Sequence, residues 1–263
     1  MHYAVHPAPH GLEDIVRYCW TLKSDEPGDA PSLLAAESCP NLVIVRGGSF
    51  TEADGRTAPR IHLAGPLSKP VEMVSHGPYQ LFGLYLWPWG NKALFALEPE
   101  ACIDQFLDVE TLIGGDRCAG IQHLVASSDP QLVGLRLIEH LAIQEMERDI
   151  DLEHIVRGLL EIKVLPEVFD MVKQSGLARR QFERRFRSTT GFSPALFLRI
   201  LRFQRCFRML ENGTVGSLTE LALEAGYFDQ SHFIRDFKRF SGMNPRSYFV
   251  KAPEKIDNFV RLV

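Results

Sequence analysis

Two arginines occupy matching places in a motif that the chain writes twice. Phe182-x-Arg184-x-Phe186-x4-Gly191-x-Ser193-Pro194-x2-Phe197 recurs 51 residues later as Phe233-x-Arg235-x-Phe237-x4-Gly242-x-Asn244-Pro245-x2-Tyr248. The aromatic pair in each copy falls at i, i+4, one turn apart on a helix, and a Gly followed by a Pro closes each helix. A guanidinium carries a planar fork of donors that fits a guanine edge or a phosphate. A short helix with an apolar face and an outward Arg, present twice, predicts a rigid reader of two similar surfaces. Duplex DNA, which repeats its surface every turn, is the implied partner. The alternative is a pair of ordinary core helices, which would need both patterns to coincide at one offset.

The second copy is preceded by the elements needed to position it. Ser217-Leu218-Thr219-Glu220 is a capping box, in which the Ser hydroxyl and the Glu carboxylate satisfy free amides at a helix start. Leu218, Leu221 and Ala222 then face inward, with Ala222 small enough for a second helix to cross closely. Gly226 makes the turn and Asp229 caps the next helix. With Phe233 and Phe237 turned inward, Gln230, Ser231, Ile234, Arg235 and Lys238 are left on the exposed side. A helix-turn-helix presents its second helix to the major groove in this way.

Charge is divided accordingly. Residues 1–150 hold 10 Lys and Arg against 20 Asp and Glu, a formal −10; residues 151–263 hold 19 against 13, a formal +6, which together make the −4 of the whole chain. An acidic front and a basic back are expected when one half meets phosphates.

Residues from about 165 to 250 resemble the AraC/XylS-type transcription regulators. The resemblance rests on Leu221-Ala222-x3-Ala225-Gly226-Tyr227-x-Asp229-Gln230-Ser231-His232-Phe233-x-Arg235-x-Phe237-Lys238-Arg239. It implies an all-α DNA-binding unit of two helix-turn-helix motifs joined by a long helix. It further implies base readout by Arg180, Glu183 and Arg184 in the first motif, and by Gln230, Ser231, Ile234 and Arg235 in the second. Arg179, Arg187, His232 and Lys238 are the phosphate contacts it implies, with His232 ambiguous between the DNA backbone and local packing. Pro194 to Glu211 spans 18 residues, about 27 Å as a helix, close to the roughly 34 Å between successive major-groove segments. Arg199, Arg202, Arg205 and Arg208 recur along it, with salt bridges or solvent slightly favoured over phosphates as their partners. The first copy departs from the family pattern: Ala178 stands where Ser or Thr usually caps the recognition helix, and Val172 where a small Ala permits close crossing.

The front half is a different class of structure. Leu42-Val43-Ile44-Val45, ended by Gly47-Gly48, Ile61-His62-Leu63-Ala64 and Gln80 to Leu86 are short apolar runs bounded by Gly or Pro. They predict a small antiparallel sheet or barrel. From about 99 to 150 the period becomes helical, through Ile121, Leu124, Val125, Leu132, Leu135, Leu137, Ile138, Leu141, Ile143 and Met146, with Asp129-Pro130 as a helix start. The segments Leu12-x3-Val16-x-Tyr18-x-Trp20 and Phe82 to Gly90 loosely resemble a sensor domain carried by some family members. Tyr18, Trp20, Tyr85, Trp87 and Trp89 are the candidate lining of a small-molecule pocket, with core packing as the competing account.

Catalysis and metal binding find little support. His2, His6 and His10 are denied a common helical face by Pro7 and Pro9, and His62 and His76 lack a nearby partner. The five Cys (19, 39, 102, 118 and 206) form no CxxC, as expected of reduced cytoplasmic thiols. None sits in the Pro-Cys-His-Arg setting of the alkyl-transfer repair proteins that carry the same tail. Neither a secretory leader nor a membrane span is expected from the first residues or from the apolar runs. The expectation is an α+β chain: a sensor or oligomerisation domain over 1–150, helical over 99–150, and a tandem helix-turn-helix over 151–263. It would work without cofactor or metal. Its expected partners are double-stranded DNA, a small-molecule effector, a second copy in a homodimer and the transcription machinery, with no membrane.

Overall fold

The computed structural model describes residues 2–25, 31–114, 141, 147–211 and 217–247. The front half is an antiparallel sheet of seven strands: β1 (His2–Pro7), β2 (Val16–Ser24), β3 (Ser32–Leu34), β4 (Asn41–Glu52), β5 (Ile61–Ala64), β6 (Val71–Leu86) and β7 (Phe106–Asp108). Their order is β1-β2-β6-β4-β5-β7, with β3 also paired to the 16-residue β6. Alternation sorts the side chains. Leu42, Ile44, Phe82 and Leu84 point to one face, against α1 (Gly90–Phe95), α2 (Val109–Ile113) and Leu141. Val43, Val45, Leu81 and Tyr85 point to the other, where the helical half packs. Both faces are therefore covered, which is why Leu42 to Val45 reads as an unbroken apolar run rather than an alternating one.

Two expectations need correction. β4 does not end at Gly47-Gly48 but continues to Glu52, through a register shift between Gly47 and Ser49. Gly47 takes φ +71° there, so the glycine marks a bulge rather than a stop. The segment from 99 on is not purely helical either: a single 3-10 turn, Pro99–Cys102, leads into β7, which pairs with β5 at the sheet edge. Of the helical positions read between 121 and 146, Leu141 lies in a helix and is buried. The others, with Asp129, Pro130 and Cys118, lie outside the described residues.

The back half comprises α3 (Ile150–Glu161), α4 (Val168–Ser175), α5 (Arg179–Thr190), α6 (Pro194–Glu211), α7 (Leu218–Glu224) and α8 (Gln230–Ser241). Asp149 caps α3, accepting from the Leu152 N–H at 3.3 Å. The same carboxylate accepts from Arg185 of α5 at 2.5 and 2.6 Å, and those bonds hold it below the usual carboxylate range. The 18-residue α6 is the long connecting helix, with the span read from the sequence. Its buried side, Phe197, Leu198, Ile200, Leu201, Phe203, Cys206 and Phe207, continues the core of the sheet face into the helices. Among the described residues no helix is long and apolar enough to cross a membrane, and no three His, Cys, Asp or Glu gather as a metal site would require.

Candidate nucleic-acid interface

The two recognition helices, α5 and α8, are 12 residues each and are built alike to the level of single hydrogen bonds. Phe182 and Phe186 in one, and Phe233 and Phe237 in the other, are fully buried. Each helix ends on a glycine in the left-handed region, Gly191 at φ +81° and Gly242 at φ +73°. One position earlier stands a hydroxyl that the sequence reading overlooked. Thr190 Oγ1 donates to the Phe186 carbonyl at 2.9 Å and accepts from the Phe192 N–H at 3.2 Å. Ser241 Oγ repeats both bonds, to Phe237 at 2.6 Å and from Met243 at 3.2 Å. A hydroxyl at that offset in both copies was the available signal.

The copies differ at their starts. Asp229 Oδ1 accepts from the His232 N–H at 2.7 Å, whereas Ala178 caps α5 with no side-chain bond. Ala178→Ser is expected to raise stability by about 1 kcal/mol, read as a higher urea midpoint at unchanged slope; a lower midpoint would count against a cap at this position. The turn before α8 is also one residue longer. Only Leu177 separates Gly176 from the cap Ala178, while Tyr227 and Phe228 separate Gly226 from Asp229. Phe228 is the inserted residue and is 89% exposed. The serine half of the capping box is seen in the 3.1 Å bond from the Glu220 N–H to Ser217 Oγ. Ala222 is fully buried and Val172 partly so.

Arg180, Arg184, Ser231 and Arg235 are exposed, and Glu183, Gln230 and Ile234 are half-buried. Arg179 pairs with Glu183 at 2.9 Å along α5, and Arg187 reaches Glu100 of the front half at 3.1 Å. Both pairs are exposed and worth at most about 1 kcal/mol, so phosphates could replace the carboxylates cheaply. Lys238 is exposed. His232 packs edge-on against Tyr227 and lies 3.6 Å from Asp236, an arrangement suited to local packing.

The linker arginines are largely occupied elsewhere. Arg199 forms a bidentate pair with the buried Asp236 at 2.5 and 3.1 Å, Arg202 lies 3.5 Å from Glu167, and Arg205 donates to the carbonyls of Ile162 and Lys163. Rings tie α6 to both recognition helices: Phe186 meets Phe197 at 5.4 Å, and Phe237 meets Phe203 at 5.6 Å and Phe207 at 5.2 Å.

The front half touches both copies at equivalent places. A side chain on Gly191 would approach the Pro99 carbonyl to 2.9 Å, and one on Gly242 would meet the Pro70 ring at 3.3 Å. The Ala36 N–H donates to the Phe240 carbonyl at 2.8 Å. Arg157 of α3 lies over Trp87 and Trp89, 4.2 and 5.2 Å from their ring centres, and pairs with Asp14 at 2.9 Å.

The aromatic residues proposed for a pocket have other surroundings. Trp87 and Trp89 stack at 5.6 Å and donate their indole N–H groups to the Glu13 and Asp14 carbonyls. Trp20 donates to Asn41 Oδ1 at 3.0 Å, and Tyr18 stacks on Tyr85 at 4.6 Å. None of the five lines the apolar cavity found in the front half, which is bounded by Leu34, Val43, Phe50, His62, Leu81 and Phe106 on the sheet side and by Phe203, Gln204 and Phe207 of α6.

His62 is buried there, with Nδ1 2.7 Å from the Pro59 carbonyl, and burial pushes its pKa down to about 4. An unfolded histidine titrates near 6.5. Between those values the unfolded chain takes up a proton that the folded chain refuses, so stability is intact above pH 6.5 and falls toward pH 4. The loss amounts to about 3 kcal/mol. In denaturant titrations at pH 7, 5.5 and 4.5, His62→Gln should lose stability with acid less steeply than the parent; parallel curves would refute the assignment.

Residues 171–250 match the family described as a helix-turn-helix domain (HTH_18), and residues 4–108 match a domain of unknown function (DUF6597). The back of the chain thus matches a helix-turn-helix domain and is joined to an antiparallel β domain. Over 127 residues the chain is 28% identical to the HTH-type transcriptional regulator MtrA of Neisseria gonorrhoeae, covering 43% of this chain and 42% of that protein. It is 29% identical over 90 residues to the HTH-type transcriptional activator RhaR of Yersinia pseudotuberculosis, covering 33% and 31%. It therefore spans less than half the length of either relative. The solved structure of ToxT from Vibrio cholerae aligns with 88% of this chain and 98% of its own, at 10% identity and a TM-score of 0.49.

Proposed function

We propose that this chain is a sequence-specific DNA-binding transcription regulator divided near residue 150. Its helical part reads DNA, and its β-rich part, through residue 150, senses a small molecule or mediates self-association. The observation that carries the reading is the duplication of recognition helices with the same buried anchors, the same hydroxyl and glycine caps, and an exposed Arg184 or Arg235 at the same place. The names of MtrA and RhaR, a transcriptional regulator and an activator, support it.

In this reading Arg180, Glu183 and Arg184, and Gln230, Ser231, Ile234 and Arg235, meet base edges. Arg takes guanine, Gln adenine and Glu the cytosine amino group. Arg179, Arg187, Lys238 and His232 meet phosphates, adding affinity without sequence information. The chain acts in the cytoplasm as a non-catalytic protein, with double-stranded DNA, a second copy of itself and the transcription machinery as partners.

Selection of bound sequences from a random duplex library, using the intact protein at moderate salt, tests this. Enrichment of two short half-sites about one turn apart is the expected result. Enrichment only with residues 151–263 alone would mean that the front half masks the readers. No enrichment with either would sink the reading in favour of a protein–protein interaction module, whose binding would lack the steep salt dependence of phosphate contacts.

A further inference from the structure

The cavity between the sheet and the linker helix has a volume of about 70 Å³. In this measure a single water needs about 10–15 Å³, so the space suits one ring with a short substituent. Its walls are mainly apolar, and among the polar groups set into them Glu37 and His62 each turn an acceptor atom toward the space. Among the described residues Glu37 accepts hydrogen bonds on one oxygen: Oε1 accepts from the Tyr85 hydroxyl at 2.5 Å, from the Ser38 N–H at 2.7 Å and from the Gln204 amide of α6. Among the described residues no donor reaches Glu37 Oε2. Glu37 keeps an intermediate exposure because it faces the cavity, although its carboxyl is enclosed and burial pushes its pKa up.

His62 supplies a second acceptor. Its Nδ1 is committed to the Pro59 carbonyl, which makes that nitrogen the protonated one and leaves the lone pair on Nε2. Among the described residues no donor reaches Nε2. The Asn41 amide can serve a hydroxyl oxygen, but no Lys or Arg lines the cavity among the described residues. A carboxylate or phosphate would face Glu37 there with no cation in the described cavity wall to pair with it.

We propose that this cavity is a binding site for a small, largely apolar molecule carrying an O–H or N–H donor, an aromatic or alicyclic alcohol or amine. Its occupancy is felt at the second recognition helix through Phe203 and Phe207. These two rings form the α6 wall of the cavity, and both pack on Phe237, while Phe203 also meets Phe240 at 5.5 Å. Gln204, between them in sequence, joins Ser38 to Glu37, so a ligand that engages Glu37 acts on a group already bonded to the linker helix. Only the coupling to DNA rests on the regulator reading; binding at the cavity does not.

The test uses the full chain without DNA, with benzyl alcohol, benzylamine, toluene and benzoate as probes in thermal denaturation and calorimetric titration. The alcohol and the amine should raise the melting temperature, toluene less so, and benzoate not at all. Glu37→Gln keeps an acceptor for Tyr85 but replaces Oε2 with an amide donor; it should weaken benzyl alcohol about tenfold and admit benzoate. Ala35→Leu, at the cavity wall, should abolish binding of all the probes in a protein whose circular dichroism is unchanged. Equal shifts from every probe, or none from any, would overturn the proposal. The coupling is read separately: with DNA bound, benzyl alcohol should change the affinity of the parent and leave that of Ala35→Leu unchanged, and no change in the parent overturns it. A chain that binds benzyl alcohol but no DNA would sink the regulator reading and leave the site standing.

Discussion

Replacing Phe203 with Ala should cost about 3–5 kcal/mol of stability, the usual range for deleting a buried aromatic ring. Phe203 is 1% exposed and meets Phe207, Phe237 and Phe240 with ring centres 4.7, 5.6 and 5.5 Å away. Edge-on and tilted pairs of this kind add about 0.5–1.5 kcal/mol beyond the area they bury. The ring also borders a cavity, so its removal enlarges a space that the neighbours do not fill, which places the cost toward the upper end. Against a typical total stability of about 5–15 kcal/mol, this is a large fraction. Equilibrium urea unfolding checks it, with Phe203→Leu as the milder companion. A loss below about 1 kcal/mol in the Ala variant would mean that the linker helix is not held to α8 by these rings, and the coupling proposed through them would fall.

The double substitution Arg184→Ala/Arg235→Ala should have the largest effect on DNA binding. A bidentate contact from Arg to a base contributes about 1–3 kcal/mol of discrimination. Losing two therefore weakens the selected site by roughly thirtyfold to twenty-thousandfold. Stability should change by less than about 0.5 kcal/mol, because both side chains are exposed; Arg235 donates only to the Ser231 carbonyl of its own helix, at 3.3 Å. Titration of labelled duplex at several salt concentrations separates the roles. Lys238→Ala, at a proposed phosphate contact, should weaken all sequences alike and lower the salt slope by about one. If the double variant weakened specific and random duplex equally, the two arginines would be phosphate contacts, and base reading would rest on their neighbours.

Much of the helical scaffold was legible because its determinants are local. Phe182 and Phe186, and Phe233 and Phe237, lie one turn apart, so their spacing alone places them on a common inward face. Asp229 and Ser217 announce helix starts with side chains that bond to amides three positions on. Gly191 and Gly242 announce helix ends, since a residue in the left-handed region without a β-carbon is the least strained way to stop. The 18-residue span of the linker helix follows from the Pro at its start.

The front half was legible only in part. Gly47-Gly48 reads as a strand end until the partner strand shows the bulge, because the same glycines serve both. The aromatic surface of Tyr18, Trp20, Tyr85, Trp87 and Trp89 is legible by residue type, yet type does not say which face of a sheet a ring takes. Arg17, which lies in the register shift between Val16 and Tyr18, stands over the Tyr85 and Trp87 rings at 5.3 and 5.0 Å. No periodicity predicts that placement.

By itself, then, the sequence determined the two recognition helices, their caps, their anchors and the helix between them. Each of these depends on residues within a few turns of one another, where spacing is geometry. The tertiary structure alone decided the order of the strands, the paired contacts of Pro99 and Pro70 on Gly191 and Gly242, and the cavity closed by the linker helix. Glu37 and Gln204 stand 167 positions apart and meet across that cavity. Contacts at such separations are selected by how whole faces pack, and they leave no repeat in the chain to read.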